Sequence, residues 1–192
     1  MVKLHKKTKL EKGGNCMKKL LIVTGIILIA ALSTAEDGVL FSMKDIKKAE
    51  VWTAEAKVKI DVKGKDGIRI TIPENKEETT VTLDIKKIDK SNWIEHNLLK
   101  LEIENQGKGS VLLKFRLERR ALDDCLIQPE NPRFDKDLTV KPGKNTFDID
   151  VTGASRDPGW KVYVEKIKFT FVNEEKTGRE IFIRNIKLEQ EE

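Results

Sequence analysis

Apolar and polar residues alternate one for one through most of this chain. In KVKIDVKG the apolar positions are Val58, Ile60 and Val62; in GIRITIP they are Ile68, Ile70 and Ile72; in TVTLDIKKI they are Val81, Leu83 and Ile85. LLKLEIEN sets Leu99, Leu101 and Ile103 against Lys100, Glu102 and Glu104, and SVLLKFRLE sets Val111, Leu113, Phe115 and Leu117 against Lys114 and Arg116. Successive side chains of a strand leave opposite faces, so this is the pattern of half-buried strands. Past residue 35 no window shows apolar residues recurring at the helical spacing of about 3.6. Eight or more such runs predict an all-β protein, an antiparallel sandwich or barrel.

Turn-forming clusters separate the runs. Asn105-Gln-Gly107-Lys-Gly109 joins two of them and is read as a hairpin, with glycine supplying the positive φ that a tight reversal needs. Pro142-Gly143-Lys-Asn145 precedes Phe147, Ile149 and Val151, and Asn173-Glu-Glu-Lys-Thr-Gly178 separates Ile167, Phe169 and Phe171 from Ile181 and Ile183. The segment from Arg119 to Lys136, with Pro129 and Pro132, is the longest irregular stretch and the one best suited to carry a functional loop. Residues 36–192 contain no internal repeat and read as one domain, long enough to bury a core without staples.

The N-terminal segment has a different organisation. Met17 is followed by Lys18 and Lys19, an uncharged run from Leu20 to Leu32, and the small residues Ser33, Thr34 and Ala35 ahead of Glu36. That is the layout of a secretory signal peptide over residues 17–35. An uncleaved membrane anchor is the rival reading, but a span takes roughly 20 apolar residues and this run is shorter. One codon choice for Lys12-Gly13-Gly14 spells a bacterial ribosome-binding sequence just ahead of the Met17 codon. Residues 1–16 are therefore read as an untranslated or disordered extension. The expected location is periplasmic, cell-surface or extracellular, with membrane contact only through an uncleaved signal segment.

Removing this leader changes the charge argument. The chain has 37 basic and 32 acidic residues; residues 1–35 hold seven of the former and one of the latter, which leaves 30 and 31. A near-neutral domain with interspersed signs gives no electrostatic footprint for nucleic acid. Its charges read as a solvated surface with cross-strand Lys–Glu pairs. Without Cys16, Cys125 stands alone, so no internal disulfide is expected, and its apolar neighbours Leu126 and Ile127 suit a buried thiol.

The chemistry available to the domain is limited. His96 is its one histidine, no G-x-S-x-G turn accompanies it, and the several His or Cys ligands of a zinc site are missing. Asp123-Asp124 and Glu174-Glu175 read as solvated turn charges. The chain is therefore expected to be non-enzymatic, with no catalytic residue and no cofactor. The outward strand positions, among them Lys59, Asp61, Arg69, Thr71, Lys100, Glu102, Lys114, Arg116, Asp148 and Lys168, include no aromatic, which argues against stacking a long glycan on a sheet face. Trp93, leading into the Leu99 run, reads as a core or edge plug. Trp52 and Trp160 lie at strand entries, where a ring either stacks on a sugar or closes the end of the sandwich. Arg133, in QPENPRFDK, offers donors to a hydroxylated or acidic ligand.

The order of VLFS, NWIEHNLLKLEIEN, VLLKFRLE, LTVKPGKNTFDIDV, VEKIKFTFVN and REIFIRNIKL resembles the galactose-binding-like jelly rolls, the carbohydrate-binding modules and accessory β-sandwich domains of secreted glycosidases. The resemblance covers Val39 to Leu188. It implies a jelly-roll β-sandwich and a non-catalytic module that binds a glycan, such as a cell-envelope polysaccharide, through end loops carrying Trp52, Arg133 and Trp160. The alternative is an envelope structural or assembly protein using the same scaffold to contact another protein. The resemblance also implies a structural calcium held by carboxylates where this chain has Ser42 and Arg184. A guanidinium at such a position repels a cation, so no metal is expected there. Between Ile183 and Ile186, Arg184-Asn185 fits a bulge that turns both isoleucines inward.

Overall fold

A computed structural model of the chain describes residues 39–62, 64–119, 133–152 and 164–190. Among these residues the alternating runs become eleven strands: β1 (Val39–Phe41), β2 (Trp52–Ala54), β3 (Lys59–Asp61), β4 (Ile68–Ile72), β5 (Glu78–Asp84), β6 (Leu98–Asn105), β7 (Val111–Arg119), β8 (Arg133–Val140), β9 (Gly143–Asp150), β10 (Val164–Val172) and β11 (Arg179–Glu189). One helical turn that periodicity did not foresee, α1 (Met43–Ile46), follows β1; the Asp45 carboxylate accepts the Ser42 N–H at 2.9 Å. The leader, Cys125 and Trp160 lie outside the described residues.

The strands form two antiparallel sheets. One has the order β3-β4-β11-β6-β9, with β1 also pairing with β11; the other has the order β2-β5-β10-β7-β8. Their inner faces carry the alternating apolar residues. Ile70, Leu101 and Ile183 from the first sheet, and Leu83, Phe115 and Phe169 from the second, belong to one core cluster and have no exposed surface. Phe169 packs edge-on against Phe115, with ring centres 5.8 Å apart, and lies 6.0 Å from Trp52. Trp93 is buried as expected. It packs 5.7 Å from Phe41, and its indole N–H donates to the Lys90 carbonyl at 2.7 Å.

The segment at Asn105 is not a hairpin, which corrects the expectation from sequence. β6 pairs with β11 and β9, and β7 pairs with β10 and β8, so Asn105 to Ser110 carries the chain from one sheet to the other. The reason lies in Asn105 itself, which is buried. Its side-chain carbonyl accepts the Gly107 N–H at 2.9 Å, and its amide donates to Gly109 O at 2.9 Å and Val140 O at 3.3 Å. Those bonds satisfy backbone groups that a crossing between layers would otherwise leave unpaired. Asn173 does the same between β10 and β11, donating to Thr177 O at 2.8 Å. At the β8–β9 crossing, Asn145 accepts the Lys141 N–H and donates to the Lys141 carbonyl, while Gly143 takes a φ of +84°.

The closing strand contains the expected bulge. The β11 register shifts between Ile183 and Asn185, and both Ile183 and Ile186 are fully buried. Arg184 is the extra residue. The expectation of an exterior without rings fails on this strand: between the buried Ile181 and Ile183, Phe182 faces outward, opposite Arg69 of β4 and Glu104 of β6.

Candidate functional site

β6, β9 and β11 lie side by side, and their outward residues form the floor of a cleft of about 440 Å³. Register places Glu104 opposite Lys144 and Glu102 opposite Thr146, with Asn185 of β11 on the other side of Glu102. Lys47, just past α1, and Lys65, Asp66 and Gly67 of the β3–β4 loop line the same cleft. The loop sits directly on the bulge: Gly67 has a φ of +112°, and a Cβ there would lie 2.3 Å from the Ile183 carbonyl oxygen. Only glycine allows that approach.

Arg184 ties floor to wall. Its Nε and Nη2 each donate to Glu104 Oε2 at 2.7 Å, and its Nη1 donates to the Asp66 carbonyl at 2.5 Å. The guanidinium lies 4.5 Å above the Phe182 ring, so this outward ring is partly covered by a cation. The second Glu104 oxygen accepts the Gln106 amide. Lys47 Nζ donates to the Gly64 carbonyl at 2.9 Å, holding the loop from its other end. The cleft is thus a polar trough with donors and acceptors on a strand-built floor. Among the described residues, no group of three His, Cys, Asp or Glu side chains is placed to hold a metal ion.

The residues singled out from sequence do not gather here. Trp52 is 6 % exposed, with its indole N–H donated to Ile46 O at 2.7 Å and its ring against Phe169, so it closes the end of the core. Arg133 opens β8; its side chain and the whole of Trp160 lie outside the described residues. The cleft residues gave little advance signal because they come from strands far apart in sequence. Glu102 was the exception, since its alternation with Leu101 and Ile103 already sends it outward.

No family model matches the chain, and no curated protein matches it in sequence. Solved structures do match in shape. A family 11 carbohydrate-binding module from Clostridium thermocellum, in complex with a β-1,3-1,4-mixed-linked tetrasaccharide, is similar over 80 % of this chain and 95 % of its own, with a TM-score of 0.55 and 13 % identity. The solution structure of a family 11 module is similar over 83 % of this chain and 99 % of its own, with a TM-score of 0.56 and 13 % identity. An agarase is similar with a TM-score of 0.58 and 10 % identity; the match covers 81 % of this chain but only 25 % of that much longer protein. The fold is therefore the jelly-roll β-sandwich of carbohydrate-binding modules and of the accessory domains of glycoside hydrolases.

Proposed function

We propose that this protein is an exported, non-catalytic module that binds a polysaccharide. The observation that carries this reading is the open trough across β6, β9 and β11, on a fold shared with a module solved around a tetrasaccharide. A sugar presents hydroxyls that both donate and accept. The trough offers matching groups: Glu102 as acceptor, Lys144 as donor, and the Thr146 hydroxyl as both. The end loops with Arg133 and Trp160 stay in the proposal as a second contact, on the strength of the sequence resemblance alone.

A glycan array tests it, followed by titration of the bound polysaccharide with Thr146→Trp, which fills the trough, and with Trp160→Ala. Binding with no release of reducing ends is expected. Thr146→Trp is expected to weaken it by about tenfold or more, the loss of roughly 1.4 kcal/mol, without lowering the melting temperature. Silence across the array, with an envelope protein co-purifying, overturns the reading in favour of an assembly role.

A further inference from the structure

The charges around the trough are unevenly satisfied, and the imbalance bears on which polysaccharide fits. This inference rests on the glycan-binding reading and names its ligand class. Four cations line the cleft, Lys47, Lys65, Lys144 and Arg184, against three carboxylates, Asp66, Glu102 and Glu104. The carboxylates are the better supplied. Glu104 has one oxygen taken by Arg184 and the other by Gln106. Asp66 Oδ1 lies 3.7 Å from Arg184, and Glu102 accepts the Asn185 amide at 3.4 Å.

The lysines are in the opposite position. Lys144 stands directly across from Glu104, its natural cross-strand partner, but that carboxylate is already occupied. Lys65 has no carboxylate partner among the described residues, and Lys47 has only a backbone carbonyl. On the outer face of the other sheet, by contrast, Lys114, Arg116 and Lys168 lie 2.6–2.9 Å from Glu78, Asp135 and Glu118 respectively. Lys65 and Lys144 therefore line the cleft with no carboxylate partner among the described residues.

A second property of the trough points the same way. None of its lining residues is aromatic, and the nearby Phe182 ring is covered by Arg184. A neutral glycan held in a groove draws much of its affinity from ring stacking, which this floor does not provide. Charge-assisted hydrogen bonds from Lys65 and Lys144 take its place when the sugar carries a negative group. We infer that the trough selects an anionic polysaccharide, with Lys65 and Lys144 contacting its acidic groups from two sides. Since residues 36–192 are near neutral in sum, such selectivity is local to the cleft and is not a property of net charge.

The test uses polygalacturonate and its carboxyl-reduced, uncharged form, with dextran sulfate and dextran as the sulfate pair. Affinity is measured for the wild-type protein and for K65A/K144A, whose folding is checked by circular dichroism and melting. Wild type is expected to bind a charged member at least about tenfold more tightly than its neutral counterpart, and K65A/K144A is expected to lose about that factor. Added salt should weaken the charged complex, as screening of exposed pairs requires. Which pair shows the preference separates carboxylated from sulfated sugars. Equal binding of charged and neutral members, or an unaffected folded double variant, overturns the inference and leaves the glycan-binding reading standing. No binding to any of the four, together with a silent array, removes both.

Discussion

Phe169→Ala is expected to cost about 3–5 kcal/mol, the range for truncating a fully buried phenylalanine. The ring sits at the middle of β10, has no exposed surface, and touches Phe115 of the same sheet and Trp52 at the end of the core. Its removal leaves two aromatic neighbours without a partner, in a layer of strands held in register on both sides by β5 and β7. That layer has little freedom to collapse into the space, which places the effect toward the upper part of the range. In a chain of this size the melting temperature should fall by roughly 10 °C. Thr170→Ala, one residue along, is the comparison. Thr170 faces outward and shares a hydroxyl contact of 3.0 Å with Thr80, so its loss should stay within about 1 kcal/mol. Urea melts of the two variants check the inward and outward assignment directly.

Asn105 is expected to be the most sensitive polar position. Asn105→Ala strips the partner from the Gly107 N–H and from the carbonyls of Gly109 and Val140, and buried groups left unpaired cost about 1–3 kcal/mol each. Gly109 O retains Arg179 Nη1 at 3.2 Å, which limits the total to roughly 2–4 kcal/mol. Asn105→Asp separates hydrogen bonding from packing, because the two side chains have nearly the same volume. An ionised aspartate only accepts, so it would face two carbonyl oxygens with a buried negative charge. Its destabilisation should equal or exceed that of alanine at neutral pH. Its folded-state pKa would be raised, so stability should recover as the pH falls and the carboxyl is protonated. If Asp were tolerated at neutral pH, the crossing would not depend on Asn105 as a donor.

These two positions also show what the sequence alone conveys. The inward place of Phe169 is written in the alternation of VEKIKFTFVN and needs no knowledge of the partner strands. The Arg184-Asn185 bulge is legible for a related reason: without an extra residue, Ile183 and Ile186 would fall on opposite faces. Asn105 is different. N-Q-G-K-G carries the glycines of a hairpin, and only the pairing of β6 and β7 with other strands shows that it joins two layers. Local turn chemistry is shared by hairpins and crossings, so sequence does not separate them.

The site follows the same division. Trp52 lies at a strand entry, where sequence left a sugar contact and a cap on the sandwich both open, and its ring packs into the core. The trough depends on β6, β9 and β11 becoming neighbours, on loop 64–67 settling onto the bulge through Gly67, and on Arg184 drawing Glu104 away from Lys144. Each of these is a relation between distant residues. Alternation does say that Glu102, Glu104 and Phe182 face solvent; it does not say that they face the same solvent.

An amide chemical-shift titration of the protein with a tetragalacturonate locates the binding face directly. The largest shifts are expected on Lys65, Glu102, Glu104, Lys144, Thr146 and Arg184, with the amides of β2 and β5 unmoved. Shifts confined to residues 120–132 and 153–163, with the trough silent, would contradict binding through the trough.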